Sequence, residues 1–158
     1  MSDNYTQLRD TISASEGRAY ITIDGQNREL FEVSKLSAQF DMTIQSRRLL
    51  NHRMTQHKAI GAEGTGSMTM YFMNSDMLKM AVQYIRRGTY GGISIQVHNE
   101  DEQSTIGEQD VVLLNVLPKT IPITLLDDSS TDPITFDTDF TFDDINPLKY
   151  FGLPENYR

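Results

Sequence analysis

A mainly β fold with one helix follows from three observations. Leu36, Ala38, Phe40, Met42 and Ile44 alternate with Ser37, Gln39, Asp41, Thr43 and Gln45, the period of a strand with one face toward a core and the other toward water. Ile134, Phe136, Phe140 and Phe142 alternate in the same way with Thr135, Asp137, Asp139, Thr141 and Asp143. A helical period with signals at both ends is confined to residues 75–87.

The 158 residues suffice for one domain of ordinary size with a real core. At 38% hydrophobic and 23% charged, the chain is too apolar for a solvated disordered segment and too polar for a membrane protein. The formal net charge of −8 argues against gripping DNA, which is bound chiefly by Lys and Arg displacing counterions from phosphates. Cysteine is absent, which excludes disulfides, thiolate metal sites and cysteine nucleophiles. No apolar run reads as a signal core or a membrane span, so folding in a cytoplasm without export is expected.

Charge is unevenly placed. Residues 45–90 carry Arg47, Arg48, Arg53, Lys58, Lys79, Arg86 and Arg87 against Glu63 and Asp76, whereas in residues 99–144 Lys119 is the one basic side chain among many acids. Patches of opposite sign would orient copies of the chain toward one another; two unrelated solvated faces are the plainer alternative.

Taken in order, residues 1–17 are polar and without period, and read as a mobile N-terminal arm. Residues 18–23 and 28–33 alternate around Asp24-Gly25, a hairpin signal. After the strand at 36–45, residues 47–66 carry Arg47, Arg48, Asn51, His52, Arg53, His57 and Lys58, followed by Gly61, Gly64 and Gly66, and read as a long basic loop. Residues 67–73 then alternate through Met68, Met70 and Phe72.

Asn74-Ser75-Asp76 supplies a cap and a first-turn acid for the helix. Met77, Leu78, Ala81, Val82 and Ile85 form its stripe, Arg86-Arg87 suit the negative end, and Gly88 can close it. Strands are expected at 93–98 and 111–117, separated by an acidic turn. Pro118 and Pro122 confine residues 118–122 to edges or bends before an apolar run resumes at 123–126. The carboxylates of the strand at 134–143 require a well-solvated face. Residues 145–158 hold Pro147, Leu148, Tyr150, Phe151, Leu153 and Tyr157 and read as an apolar arm laid on the domain or on a neighbour.

No catalytic, cofactor or metal constellation emerges. His52 and His57 are five apart with no carboxylate set to complete a metal geometry. Asp137, Asp139 and Asp143 lack the turned loop of a calcium site. The glycines at 61–66 precede no Lys-Ser/Thr, and no Gly-x-Ser-x-Gly elbow exists. The basic residues at 47–58 carry no aromatic for stacking on bases, so a protein contact suits them better than nucleic acid.

The run Arg53-Met54-Thr55-Gln56-His57-Lys58, then Gly61-Ala62-Glu63-Gly64-Thr65-Gly66-Ser67-Met68-Thr69-Met70-Tyr71, resembles the signature of tail tube proteins of PBSX-type phage-like elements and contractile-tailed phages. Ser13-x-x-Glu16-Gly17-Arg18 and Phe140-Thr141-Phe142-Asp143-Asp144 agree in order, so the likeness covers about residues 11–144. It implies a β-sandwich with one flanking helix at 18–144, inner strands closing into a barrel within a hexameric ring, and rings stacked into a tube inside a sheath. It also implies sheath, baseplate, tape-measure and tail-terminator partners, a place in the virion tail after assembly in the host bacterial cytoplasm, and no enzymatic activity. The basic loop, with Arg47, Arg48, Asn51, His52, Arg53, His57 and Lys58, then becomes the candidate contact between rings.

A pore for DNA needs a lining without an attractive well for phosphates. Gln39, Asp41, Thr43, Asp137 and Asp139 are the candidates for that lining, with an outward position toward the sheath as the competing reading. The tube of a headless phage-tail-like bacteriocin and a monomeric β-sandwich binding module are the other readings.

Overall fold

The computed structural model describes residues 5–23 and 25–158. The mainly β expectation holds: eight antiparallel-paired strands and one α-helix occur among these residues. They are β1 (Gly17–Ile23), β2 (Gln26–Glu29), β3 (Val33–Arg47), β4 (Gln56–Tyr71), α1 (Asp76–Arg87), β5 (Ile93–Glu100), β6 (Glu108–Pro118), β7 (Thr135–Phe142) and β8 (Asp144–Lys149). The chain forms two compact units, one of residues up to Phe31 with Thr89–Val116 and Asp144–Arg158, the other of Glu32–Gly88 with Leu117–Asp143.

In the first unit the strand order is β2-β1-β5-β6-β8. Cross-strand partners share a face, so Ala19 and Ile21 line up with Val97 and Ile95, and Ile95 with Leu113; Ile21, Ile93, Ile95, Leu113 and Val116 are all buried. The opposite face carries Arg18, His98, Glu100, Glu108, Asp110 and Lys149. There the neighbouring carboxylates of Glu100 and Asp110 raise the pKa of His98 above its ordinary value.

The expected hairpin is present as β1 and β2, although its second strand ends at Glu29; Asp24 of the turn lies outside the described residues, and Gly25 takes φ 80°. Neither terminal arm is loose where described. Asp10 is buried and accepts a hydrogen bond from Thr105 Oγ1 at 2.6 Å, and Glu100 N donates to Glu16 O at 3.3 Å. At the other end β8 adds a strand to β6, with Pro147 tolerated because β8 is paired on one side only. Gly152 N then donates to Ile106 O at 2.8 Å. The acidic turn at 101–106 is thus the anchor that both ends share, a role that its composition did not reveal.

In the second unit the order is β3-β4-β7, with Leu117 and Pro118 of β6 pairing Thr141 and Phe140 of β7. Met68, Met70, Phe140 and Phe142 are buried on one face, together with Thr138, whose hydroxyl donates to Thr120 O at 2.7 Å. Helix α1 begins within one residue of expectation, but it is Asn74 Oδ1 that accepts from Asp76 N at 2.7 Å. Gly88 closes it at φ 70°, donating to Tyr84 O. Met80 is its buried residue, while Ile85, expected on the apolar stripe, is 75% exposed. Residues 123–126 form no strand; Pro122 has no N–H to offer a ladder, and Leu126 is exposed.

The largest departure is at 47–66. Strand β3 runs on to Arg47 and β4 begins at Gln56, so the loop is only residues 48–55 and the three glycines lie inside a strand. For Gly64 and Gly66 the reason is space rather than turning. A Cβ on Gly64 would come 2.4 Å from the Phe142 ring, and one on Gly66 would come 2.3 Å from the Phe140 ring and 2.5 Å from the Ser37 carbonyl. Gly61 meets nothing within 4 Å. Gly66→Ala is therefore expected to destabilise by about 1–3 kcal/mol through overpacking, lowering the thermal midpoint by several degrees, whereas Gly61→Ala stays near wild type. Equal midpoints by differential scanning calorimetry would contradict this account.

Candidate assembly interface

The long β3–β4 hairpin outruns its support. Strand β7 pairs β4 only over Gly64–Tyr71, so residues 40–47 and 56–63 are flanked by no third strand among the described residues. Every residue of these two segments is exposed. Both edges of this outer half, and the whole free edge of β3, leave backbone donors and acceptors open to pair with another chain.

The register brings the predicted lining residues together. Gln39 lies across from Thr65, which lies across from Thr141; Ser37 faces Ser67, which faces Asp139; and Asp137 is reached through Thr69, whose hydroxyl donates to it at 2.6 Å. Two rows read separately in the sequence, Gln39, Asp41 and Thr43 on β3 and Asp137 and Asp139 on β7, are thus one continuous polar face. Two charges absent from the predicted lining belong to it. Glu63 stands directly opposite Asp41. Lys119 borders a concavity of about 330 Å³ with Gln39, Ser67 and Asp139, and donates its backbone N–H to Asp139 O at 2.7 Å. The signal for Glu63 was available: Glu63, Thr65, Ser67 and Thr69 alternate with Ala62, Gly64, Gly66 and Met68, but the glycines suggested a loop instead.

The other face of the hairpin is apolar. Phe40 pairs Gly64, Met42 pairs Ala62 and Ile44 pairs Ala59, with a bulge between Thr43 and Ile44 that leaves Ile60 as the extra residue of β4. Phe40, Met42, Ile44 and Ile60 are 56–58% exposed. A row of large apolar side chains on a projecting ribbon marks an interaction surface rather than scattered exposure.

At the tip, Arg48, Asn51, His52 and Arg53 lie in the connecting loop, while Arg47, His57 and Lys58 sit on the strand ends. All are exposed, and Leu50 and Met54 beside them are 91% and 81% exposed. Asn51 takes φ 67°, and Ser46 Oγ lies 2.8 Å from His57 Nδ1. The candidates for inter-copy contact therefore cluster on one hairpin end. Of the acidic stretch, Glu100, Glu108 and Asp110 belong to the first unit and Asp137, Asp139 and Asp143 to the second.

Comparison with known proteins finds relatives both in sequence and in fold. A family model described as phage tail tube protein matches residues 4–149. Two Bacillus subtilis (strain 168) proteins, phage-like element PBSX protein XkdM and uncharacterized protein YqbM, are each 29% identical, over 149 and 152 residues covering 94% and 96% of this chain and the same shares of their own. Among solved structures, a chain of the anti-feeding prophage tube-terminating cap aligns with a TM-score of 0.68 at 10% identity, covering 94% of this chain and 96% of that one. A chain of the sheath-tube complex of an extracellular contractile injection system in its extended state gives 0.68 at 9% identity, covering 90% and 95%. At such identities the shared property is the fold.

Because Met42 and Ile44 are already exposed in the protomer, Met42→Asp with Ile44→Asp should leave its thermal stability nearly unchanged, within about 0.5 kcal/mol per site. Self-association followed by analytical ultracentrifugation should be lost. Assembly at wild-type concentration would remove the apolar face from the interface.

Proposed function

The chain belongs to the phage tail tube protein family, and from that premise we propose that six copies close into a ring and that rings stack into the inner tube of a contractile tail. The role is structural, and no catalytic step is assigned to it. The observation that carries this reading is the β3–β4 hairpin, open at both edges and exposed on both faces. Pairing the free edge of β3 with the next copy's open edge satisfies the backbone groups, and a closed cycle of such head-to-tail contacts leaves no edge behind.

In the ring, the polar face of Gln39, Asp41, Thr43, Glu63, Asp137 and Asp139 lines the pore, and the row of Phe40, Met42 and Ile44 turns toward protein. The carboxylates are interspersed with Lys35 and Lys119 and with neutral Ser and Thr, so no run of cations offers DNA a binding well. Repulsion reaches about 8 Å at physiological salt, which centres a passing duplex rather than blocking it. Arg47, Arg48, Asn51, His52, Arg53, His57 and Lys58 at the hairpin end contact acidic groups of the adjacent ring. Sheath, baseplate, tape-measure and terminator proteins are the other partners, the virion tail is the final location and the host bacterial cytoplasm the place of assembly. The fold shared with injection-system chains favours a second reading, a tube of a headless device that carries no DNA.

Negative-stain microscopy of the purified protein is expected to show rings or tubes, and a persistent monomer would sink the proposal. Arg47→Glu with Arg48→Glu should leave rings but abolish long tubes; tubes of normal length would remove these residues from the stacking contact. Asp137→Lys with Asp139→Lys should preserve tube length while reducing DNA delivery at least tenfold. Normal delivery argues for an outward position of this face or for the headless device, and the DNA content of the particles separates those two.

A further inference from the structure

On the polar face of the first unit, His98 of β5 is enclosed by carboxylates from two strands. Its Nε2 lies 3.0 Å from Glu100 Oε2 and 3.6 Å from Glu108 Oε2, and one ligand atom from each of the three residues falls within 4.8 Å of the others. Donors on a tetrahedral zinc ion, with arms of about 2.0–2.1 Å, stand about 3.3 Å apart, so the two measured separations bracket the edge of such a coordination sphere. Glu100 and Glu108 are also direct cross-strand partners, a like-charge pairing that is unfavourable by itself and is offset by His98 and Lys149.

Asp110 distinguishes this group from a solvated acidic patch. It is buried at 7% exposure, and its Oδ1 accepts a hydrogen bond from His98 Nδ1. A carboxylate on Nδ1 fixes that nitrogen as the donor and aims Nε2 at the two glutamates, the arrangement by which histidine ligands are oriented in metal sites. Lys149 Nζ holds the other oxygen of Glu108, and Arg18 stands across from His98 on β1.

We propose that His98, Glu100 and Glu108 form a binding site for a divalent transition-metal ion of the zinc class, with Asp110 as the residue that orients the imidazole. One nitrogen and two carboxylate oxygens leave a fourth position for water, and the ion replaces the proton that otherwise bridges imidazole and carboxylate. It would tie β5 to β6 at the end of the unit where Asp10, Glu16 and Gly152 are held. The site uses no residue of the hairpin and stands independently of the tube reading.

The test uses the full-length protein, stripped with a chelator, titrated with Zn²⁺ by calorimetry and with Co²⁺ by visible absorption. One ion per chain and a low-symmetry Co²⁺ spectrum are expected, and both should vanish in His98→Ala. Glu100→Gln changes only an exposed side chain, so it supplies a folded variant with at least tenfold weaker binding. Asp110→Asn should weaken binding about 10–100-fold without removing the spectrum, and Lys149→Met should tighten it by freeing Glu108. Absence of stoichiometric binding at micromolar protein, or binding that survives His98→Ala and is lost in His57→Ala, would overturn the site.

Discussion

The second unit depends on two aromatic rings resting on two glycines. Phe140 and Phe142 of β7 occupy the space that side chains at Gly66 and Gly64 of β4 would fill, and the rings also meet each other with centroids 6.4 Å apart. A strand shifted by one residue would put Thr65 or Glu63 beneath those rings and turn every alternate side chain to the wrong face. The two rings therefore oppose a one-residue slip of the β4–β7 register. From it follow the alignment of Asp139 with Ser67 and Ser37, of Thr141 with Thr65 and Gln39, and so the whole polar face.

The same close packing ends abruptly. Strand β7 stops supporting β4 at Gly64, yet the ribbon continues to its tip with alternating apolar and polar residues. Full burial of a Phe, Ile or Met side chain is worth about 1.5–3 kcal/mol, so the half-exposed Phe40, Met42, Ile44 and Ile60 leave on the order of 5 kcal/mol per protomer to be gained on association. A ribbon with that pattern and both edges open gains free energy from partners on it. This is why a structural, self-associating role agrees with the geometry better than a compact binding module would.

Much of this was legible before folding. The period-two runs in residues 36–45 and 134–143, the helix with Gly88 at its end, and the hairpin around Gly25 all correspond to elements with boundaries within a few residues, because local periodicity and cap chemistry act over short range. The glycines at 64 and 66 were misleading for a physical reason. A glycine needed for backbone freedom and a glycine needed for lack of volume look alike in a sequence, and only the Phe rings across the sheet tell them apart. The N-terminal segment misled similarly, since a polar residue such as Asp10 becomes ordered through a partner as distant as Thr105, whereas the apolar C-terminal segment lies on the domain as its composition suggests.

By itself the sequence determined the class of fold, the two-faced character of its long strands, the absence of cysteine chemistry and the basic cluster around residues 47–58, all properties of composition and near neighbours. Tertiary structure decided which rows share a face. It set Asp137 and Asp139 in one surface with Gln39, Asp41 and Thr43, added Glu63 opposite Asp41, and gathered His98, Glu100, Glu108 and Asp110 from two strands into one group. Those pairings depend on register between segments distant in the chain. Register is set by packing across strands, which no short stretch of residues encodes.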